Sequence, residues 1–190
     1  MAEKIYTFEE IVDHLEAYKR IRLAIIKENE SLKIPIKPPN LSEEVTESLL
    51  CKMINDGVFL HEKYGLNAVA ERHGKKGVDV IVNGTFKLEC KGTTSKDGSI
   101  TVSKTNILER EQWIWMDFSN YIKHNDTIIG IHVINNPEKC IQPIKIEANG
   151  ESKLKLSKAI KYAQETENYE FHEFSFNTLK MKVNHSTLLS

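Results

Sequence analysis

One stretch constrains the fold more than any other: "GVDVIVNGTFKLECKGTT", residues 77–94, where two runs of β-branched and aromatic residues flank Asn83-Gly84. Asn-Gly between alternating apolar residues is a strong hairpin signal, because both residues accept positive φ. The same stretch spends charge where a buried strand would avoid it, with Asp79 in the first arm and Glu89 and Lys91 at the end of the second. Side chains alternate faces along a strand. Phe86, Leu88 and Cys90 therefore share an apolar face, and Lys87, Glu89 and Lys91 share the other. An antiparallel fold-back brings Asp79 alongside, but its face depends on the turn. A two-residue Asn83-Gly84 turn sets Asp79 opposite Leu88, on the apolar side. A three-residue loop over 82–84, with Gly84 left-handed, pairs Ile81 with Thr85 and returns Asp79 to the face of Lys87 and Glu89. This bulged register is the expected one.

The rest of the chain supplies helices before the hairpin and strands after it. Thr7 and Glu10 form a capping-box pattern ahead of Ile11, Leu15, Tyr18, Ile21, Leu23, Ile25 and Ile26, predicting a long helix over 8–29. "SLKIPIKPPN" has three prolines and reads as an extended connector. A second helix follows, capped by Asn40 or Ser42, carrying Val45, Leu49, Leu50 and Met53 inward and stopping at Asn55-Asp56-Gly57. Beyond the hairpin, "SITVS", "QWIWMDF" and "TIIGIHVI" read as strands, with "TNILERE" as a helical link. Trp113 and Trp115 are expected on opposite faces of their strand. "IQPIKIE" and "FHEFSFNTLKMKV" read as extended, and "SKLKLSKAIKYAQE" as a helix with a solvated lysine face.

At 190 residues, 40% hydrophobic and 28% charged, the chain has the length and apolar content for one domain with a sizeable core. That domain is expected to span 1–190, with a core at about 40–135, helix 8–29 as an N-terminal accessory and 140–190 as a C-terminal one. The net charge of -1 excludes a global positive field, so any nucleic-acid surface must be local. No apolar run approaches a membrane span and residues 1–10 lack a signal-peptide pattern, so a soluble, cytoplasmic protein with no membrane partner is expected. Cys51, Cys90 and Cys140 are odd in number and form no CxxC, which argues against a disulfide framework or a structural zinc site. His61, His73, His124 and His132 show no zinc-ligand spacing.

Two carboxylates converging beside a lysine suit a hard divalent cation such as Mg²⁺, which takes oxygen ligands and keeps several waters. Asp79 followed by Glu89-x-Lys91 at the end of the next strand resembles the PD-(D/E)xK nuclease superfamily, and the surroundings resemble its type II restriction endonucleases. The resemblance spans roughly residues 40–135. It implies an α/β (α+β) fold, a restriction-endonuclease-like mixed sheet flanked by helices, in which Asp79 and Glu89 bind Mg²⁺ and Lys91 serves the attacking water. "PPNLSEEV" resembles the helix that opens many such enzymes, where Glu47, with Glu44 as competitor, adds a metal contact. "ITVSKTNI" before "WIWMDF" resembles the helix-then-strand unit that follows the Glu-x-Lys strand. Val78 stands where the family name has proline. Glu151-Ser-Lys153 also fits the three-residue pattern, but it opens a helix-like stretch and no strand-borne acid precedes it.

Arg72, His73, Lys75 and Lys76 form a basic loop ahead of Asp79, placed to meet DNA phosphates, and Lys96, Lys104 and Arg110 are further candidates beyond the strand. The expected activity is Mg²⁺-dependent hydrolysis of double-stranded DNA at a short specific sequence, by a homodimer that cuts both strands. A structure-specific, junction-resolvase-like nuclease on the same fold is the alternative. A non-catalytic DNA-binding or assembly module, its acids and lysine forming ordinary ion pairs on a solvated strand face, is the second.

Overall fold

The computed structural model describes residues 2–73, 78–95, 98–103, 110–123, 127–141 and 151–176. Helix α1 (Phe8–Asn29) opens as its sequence dictates: Glu10 N donates to the Thr7 side chain at 3.2 Å and Thr7 N to the Glu10 carboxylate at 2.8 Å. Helix α2 (Glu43–Asn55) starts after Ser42, which makes no side-chain cap bond, and ends at Asp56 and a left-handed Gly57. Its Val45, Leu49, Leu50 and Met53 are buried as the spacing predicts. There follow α3 (His61–Tyr64), β1 (Ala70–Arg72), β2 (Val80–Val82), β3 (Phe86–Thr93), β4 (Ser99–Ser103), β5 (Gln112–Asp117), α4 (Ser119–Lys123), β6 (Ile128–Asn135), α5 (Pro137–Ile141), β7 (Glu151–Lys155), α6 (Leu156–Glu165) and β8 (Tyr169–Ser175).

Six strands form one sheet in the order β1-β2-β3-β5-β6-β8, while β4 and β7 pair in a separate antiparallel sheet. Only β3 and β5 run parallel; all other neighbours in the large sheet are antiparallel. The architecture is the expected mixed sheet flanked by helices. On one face, Leu88, Cys90, Ile114 and Met116 pack with residues of α1 and α2. On the other, Trp113, Trp115 and Ile134 pack with Leu154, Leu156, Ala159 and Ala163. Each fully buried Leu or Ile of these layers contributes roughly 1.5–3 kcal/mol. Among the described residues no helix is long and apolar enough to cross a membrane.

Several expectations need correction. The hairpin loop has three residues, but they are Asn83, Gly84 and Thr85: the register pairs Val82 with Phe86, Ile81 with Lys87 and Val80 with Leu88. Asn83 adopts φ 52 and Gly84 φ 68, so asparagine takes a left-handed position itself and the loop moves one residue along. The odd loop length keeps Asp79 in phase with Glu89, as anticipated. Trp113 and Trp115 share one face, because residues two apart on a strand must. "SKLK" is strand, the helix starting only at Leu156: buried Leu154 and Leu156 alternate with exposed Lys153 and Lys155, a period of two rather than 3.6. Glu151-x-Lys153 therefore lies on a strand, β7. "SITVS" is the strand its pattern predicts, β4, so Ile100–Ser103 do not form the helix that the resemblance implies. Lys75, Lys76, Lys96, Lys104, His124, most of "TNILERE" and "IQPIKIE", and everything after 176 lie outside the described residues.

Candidate active site

The end of β3 carries the site because three elements meet there. β2 brings Asp79 from one side, β5 runs parallel on the other, and the first turns of α2 lie across the strand at Gly92. A Cβ built at Gly92 would stand 2.5 Å from Thr46 Cγ2, so only glycine lets the helix sit this close. The result is a cleft of about 630 Å³ lined by Glu89, Lys91, Thr93 and Trp115 from the sheet, by Asn40, Leu41 and Glu43 at the head of α2, and by Thr94, Ser95 and Ser99 beyond β3.

Asp79, Glu89 and Lys91 converge. Lys91 Nζ stands 3.2 Å from Asp79 Oδ2 and 3.2 Å from Glu89 Oε1, with Glu43 Oε1 at 3.6 Å. Cys90 N also donates to Asp79 Oδ2 at 2.8 Å, which fixes that carboxylate against the strand. Glu89 is 4% exposed and its other oxygen faces Arg110 Nε at 3.4 Å. Burial would lower the Lys91 pKa, but the charges of Asp79, Glu89 and Glu43 outweigh it and hold the ammonium above its ordinary range. Lys91 thus keeps its proton at neutral pH. Burial and the charge of Asp79 push Glu89 upward, against the pull of Lys91 and Arg110.

Glu47 lies beside this group rather than in it. Its Oε2 accepts from Arg72 Nε at 2.9 Å. Burial and the Asp79 charge push its carboxyl up to about 7, against the attraction of Arg72. Glu44, the competitor, is exposed, 3.5 Å from Arg72 and hydrogen-bonded to the Tyr6 hydroxyl at 2.8 Å. Glu43, which sequence reasoning passed over, approaches Lys91 and lines the cleft. Spacing could have found it: Glu43 and Glu47 are four apart and so share a helix face.

Two arginines expected at DNA are buried instead. Arg72, 5% exposed, binds Glu47, Glu44, Glu3 Oε2 at 2.6 Å and the Lys4 carbonyl at 2.7 Å, so it serves as counter-ion to an acidic cluster. Arg110 is also 5% exposed and faces Glu89. His73 keeps partial exposure and lies 3.6 Å from Glu71. His132 shares a hydrogen bond of 2.8 Å with the Tyr169 hydroxyl, and burial lowers its pKa. All three cysteines are free and buried.

No protein-family model, no curated protein and no solved structure matches this chain. The chemistry must be read from the site alone. Among the described residues, no group of three or more His, Cys, Asp or Glu side chains is arranged to hold a metal ion. Asp79 and Glu89 nonetheless share the Lys91 ammonium, and among the described residues that line the cleft Glu43 and Glu89 outnumber Lys91, so an anion enters favourably only with an added cation. Hydroxyls of Thr93, Thr94, Ser95 and Ser99 along the same cleft offer donors that carry no charge.

Proposed function

We propose that the chain is a Mg²⁺-dependent endodeoxyribonuclease of the type II restriction class, acting on double-stranded DNA. The observation that carries this reading is the convergence of Asp79 and Glu89 within 3.2 Å of Lys91 Nζ at the parallel strand end. The donor set suits Mg²⁺, which is commonly bound by one or two carboxylates with waters completing its shell. Asp79 and Glu89 would hold it, at a point where a cation already lies between them. When bound, the ion supplies charge stabilisation on a phosphorus oxygen and a more acidic water. Glu47 would support from behind, its carboxylate oriented by Arg72.

The chain's own part follows from its electrostatics. Lys91, protonated, donates hydrogen bonds that orient a water and balance charge building on the phosphate; it does not serve as the free base. Arg110 and Lys91 oppose the upward push that burial and the Asp79 charge give the Glu89 carboxyl. The hydroxyl-lined wall of the cleft hydrogen-bonds the sugar-phosphate backbone. Cutting both strands calls for two such sites, hence a homodimer.

The test is incubation of purified protein with long unmethylated duplex DNA, with Mg²⁺ or EDTA, beside Lys91→Ala. Discrete, metal-dependent fragments that the variant fails to make are expected. Intact duplexes together with cut four-way junctions would replace the restriction reading by a structure-specific one. No cleavage of either would leave a binding module.

A further inference from the structure

Arg22 is held in place without an acid. Of the four arginines, Arg72 and Arg110 are buried against carboxylates and Arg20 is exposed. Arg22 is half-buried, yet its hydrogen bond among the described residues runs from Nη1 to a neutral group, the Tyr18 hydroxyl, at 3.1 Å. Its Nε is buried with no acceptor. An unmet buried donor is costly, so the packing that fixes this guanidinium serves something other than its own hydrogen bonds. The Tyr18 hydroxyl shows where that is. It donates to the Pro39 carbonyl at 3.0 Å and shares a hydrogen bond of 3.2 Å with the Thr94 hydroxyl. Thr94 lines the cleft above Glu89 and Lys91, and so does Asn40, the neighbour of Pro39.

We infer that Arg22 binds a backbone phosphate of the nucleic acid, one that flanks the phosphate at the cleft floor. A planar guanidinium matches phosphate oxygens with paired donors, and no carboxylate here competes for them. Arg22 stands beside the cleft rather than among the residues that line it. A small anion seated at the floor does not reach it, whereas a chain of phosphates running out over Thr94 does. Fixing the strand at such a point sets register and carries no base information.

The inference rests on the nuclease reading for its ligand, but binding and cleavage are measured apart. Anisotropy of a labelled short duplex, with Ca²⁺ in place of Mg²⁺ as the oxygen-seeking cation, should show Arg22→Gln weakening binding by about tenfold at low salt. The slope of log affinity against log salt should fall by about 1, with Tm unchanged. Arg22→Lys keeps the charge and should restore the slope. Affinity indifferent to Arg22→Gln, or a loss at unchanged slope with lowered Tm, overturns the contact, the latter making Arg22 a structural residue. So does a wild type that binds inorganic pyrophosphate but no duplex. Arg22-dependent binding without Mg²⁺-dependent cleavage would uphold the contact and remove the nuclease reading; cleavage with Arg22-independent binding would do the reverse.

Discussion

The Lys91 ammonium stands 3.2 Å from the Asp79 carboxylate across two neighbouring strands, twelve residues away in the chain. One cation therefore serves two acids, since Glu89 approaches the same nitrogen. Lys91→Met keeps the length of the side chain and removes the charge. Cleavage by the variant is expected to fall by about 10²–10³-fold, with Mg²⁺ binding undiminished because a competing cation has gone. Single-turnover cleavage beside a Mg²⁺ titration of the free protein checks both; a variant that loses metal binding along with activity would make Lys91 part of the metal shell.

Arg110 tests how the burial of Glu89 is compensated. Its side chain is fully enclosed and faces Glu89 Oε2. Arg110→Met leaves Glu89 with Lys91 as its remaining named cation, and breaking a buried pair from one side costs about 3–5 kcal/mol. Urea unfolding at pH 7 should show that loss, with Arg110→Lys recovering part of it. An unchanged midpoint would mean that Glu89 does not depend on Arg110.

Much of this was legible in sequence where the determinant was local. The Thr7 and Glu10 box needs four residues to form, and α2 needs only its apolar spacing. The phase of Asp79 relative to Glu89 follows from an odd loop length, although which residues make the loop turned on Asn83 taking positive φ. The lysine-rich composition of 152–165 suits a helix throughout, but the alternation around Leu154 makes 151–155 a strand and leaves the helix to start at Leu156. Nothing local marked Arg72 and Arg110 as buried, since each is enclosed by carboxylates from distant elements: Arg72 by Glu3, Glu44 and Glu47, and Arg110 by Glu89. A basic residue in a sequence carries no sign of the acid it will meet.

Glu47 gives the protein a pH dependence of definite sign. Its carboxyl is raised from 4.5 to about 7 in the fold. Between those values the native state holds a proton that the unfolded chain has released, so stability falls as pH rises through this window. The full effect is about 3 kcal/mol. Glu47→Gln cannot titrate, so its stability relative to wild type should improve from pH 5 to pH 8 by up to that amount. Parallel denaturation curves at the two pH values would rule this out by running at constant separation.

Gly92 permits α2 to dock on β3, and the obstacle to any side chain there is one methyl group. A Cβ at this position meets Thr46 Cγ2 at 2.5 Å, whereas Leu41 Cδ2 at 3.4 Å and Thr46 Cβ at 3.6 Å are ordinary neighbours. Gly92→Ala is expected to destabilise by about 1–3 kcal/mol through overpacking, and to displace the turn that carries Glu43. Thr46→Ser removes the methyl and keeps the hydroxyl, which donates to the Glu43 carbonyl at 2.8 Å. The double variant should therefore recover most of the loss, giving a coupling energy of about 1 kcal/mol or more in a double-mutant cycle. Additive effects would place the strain elsewhere than between the strand end and the helix.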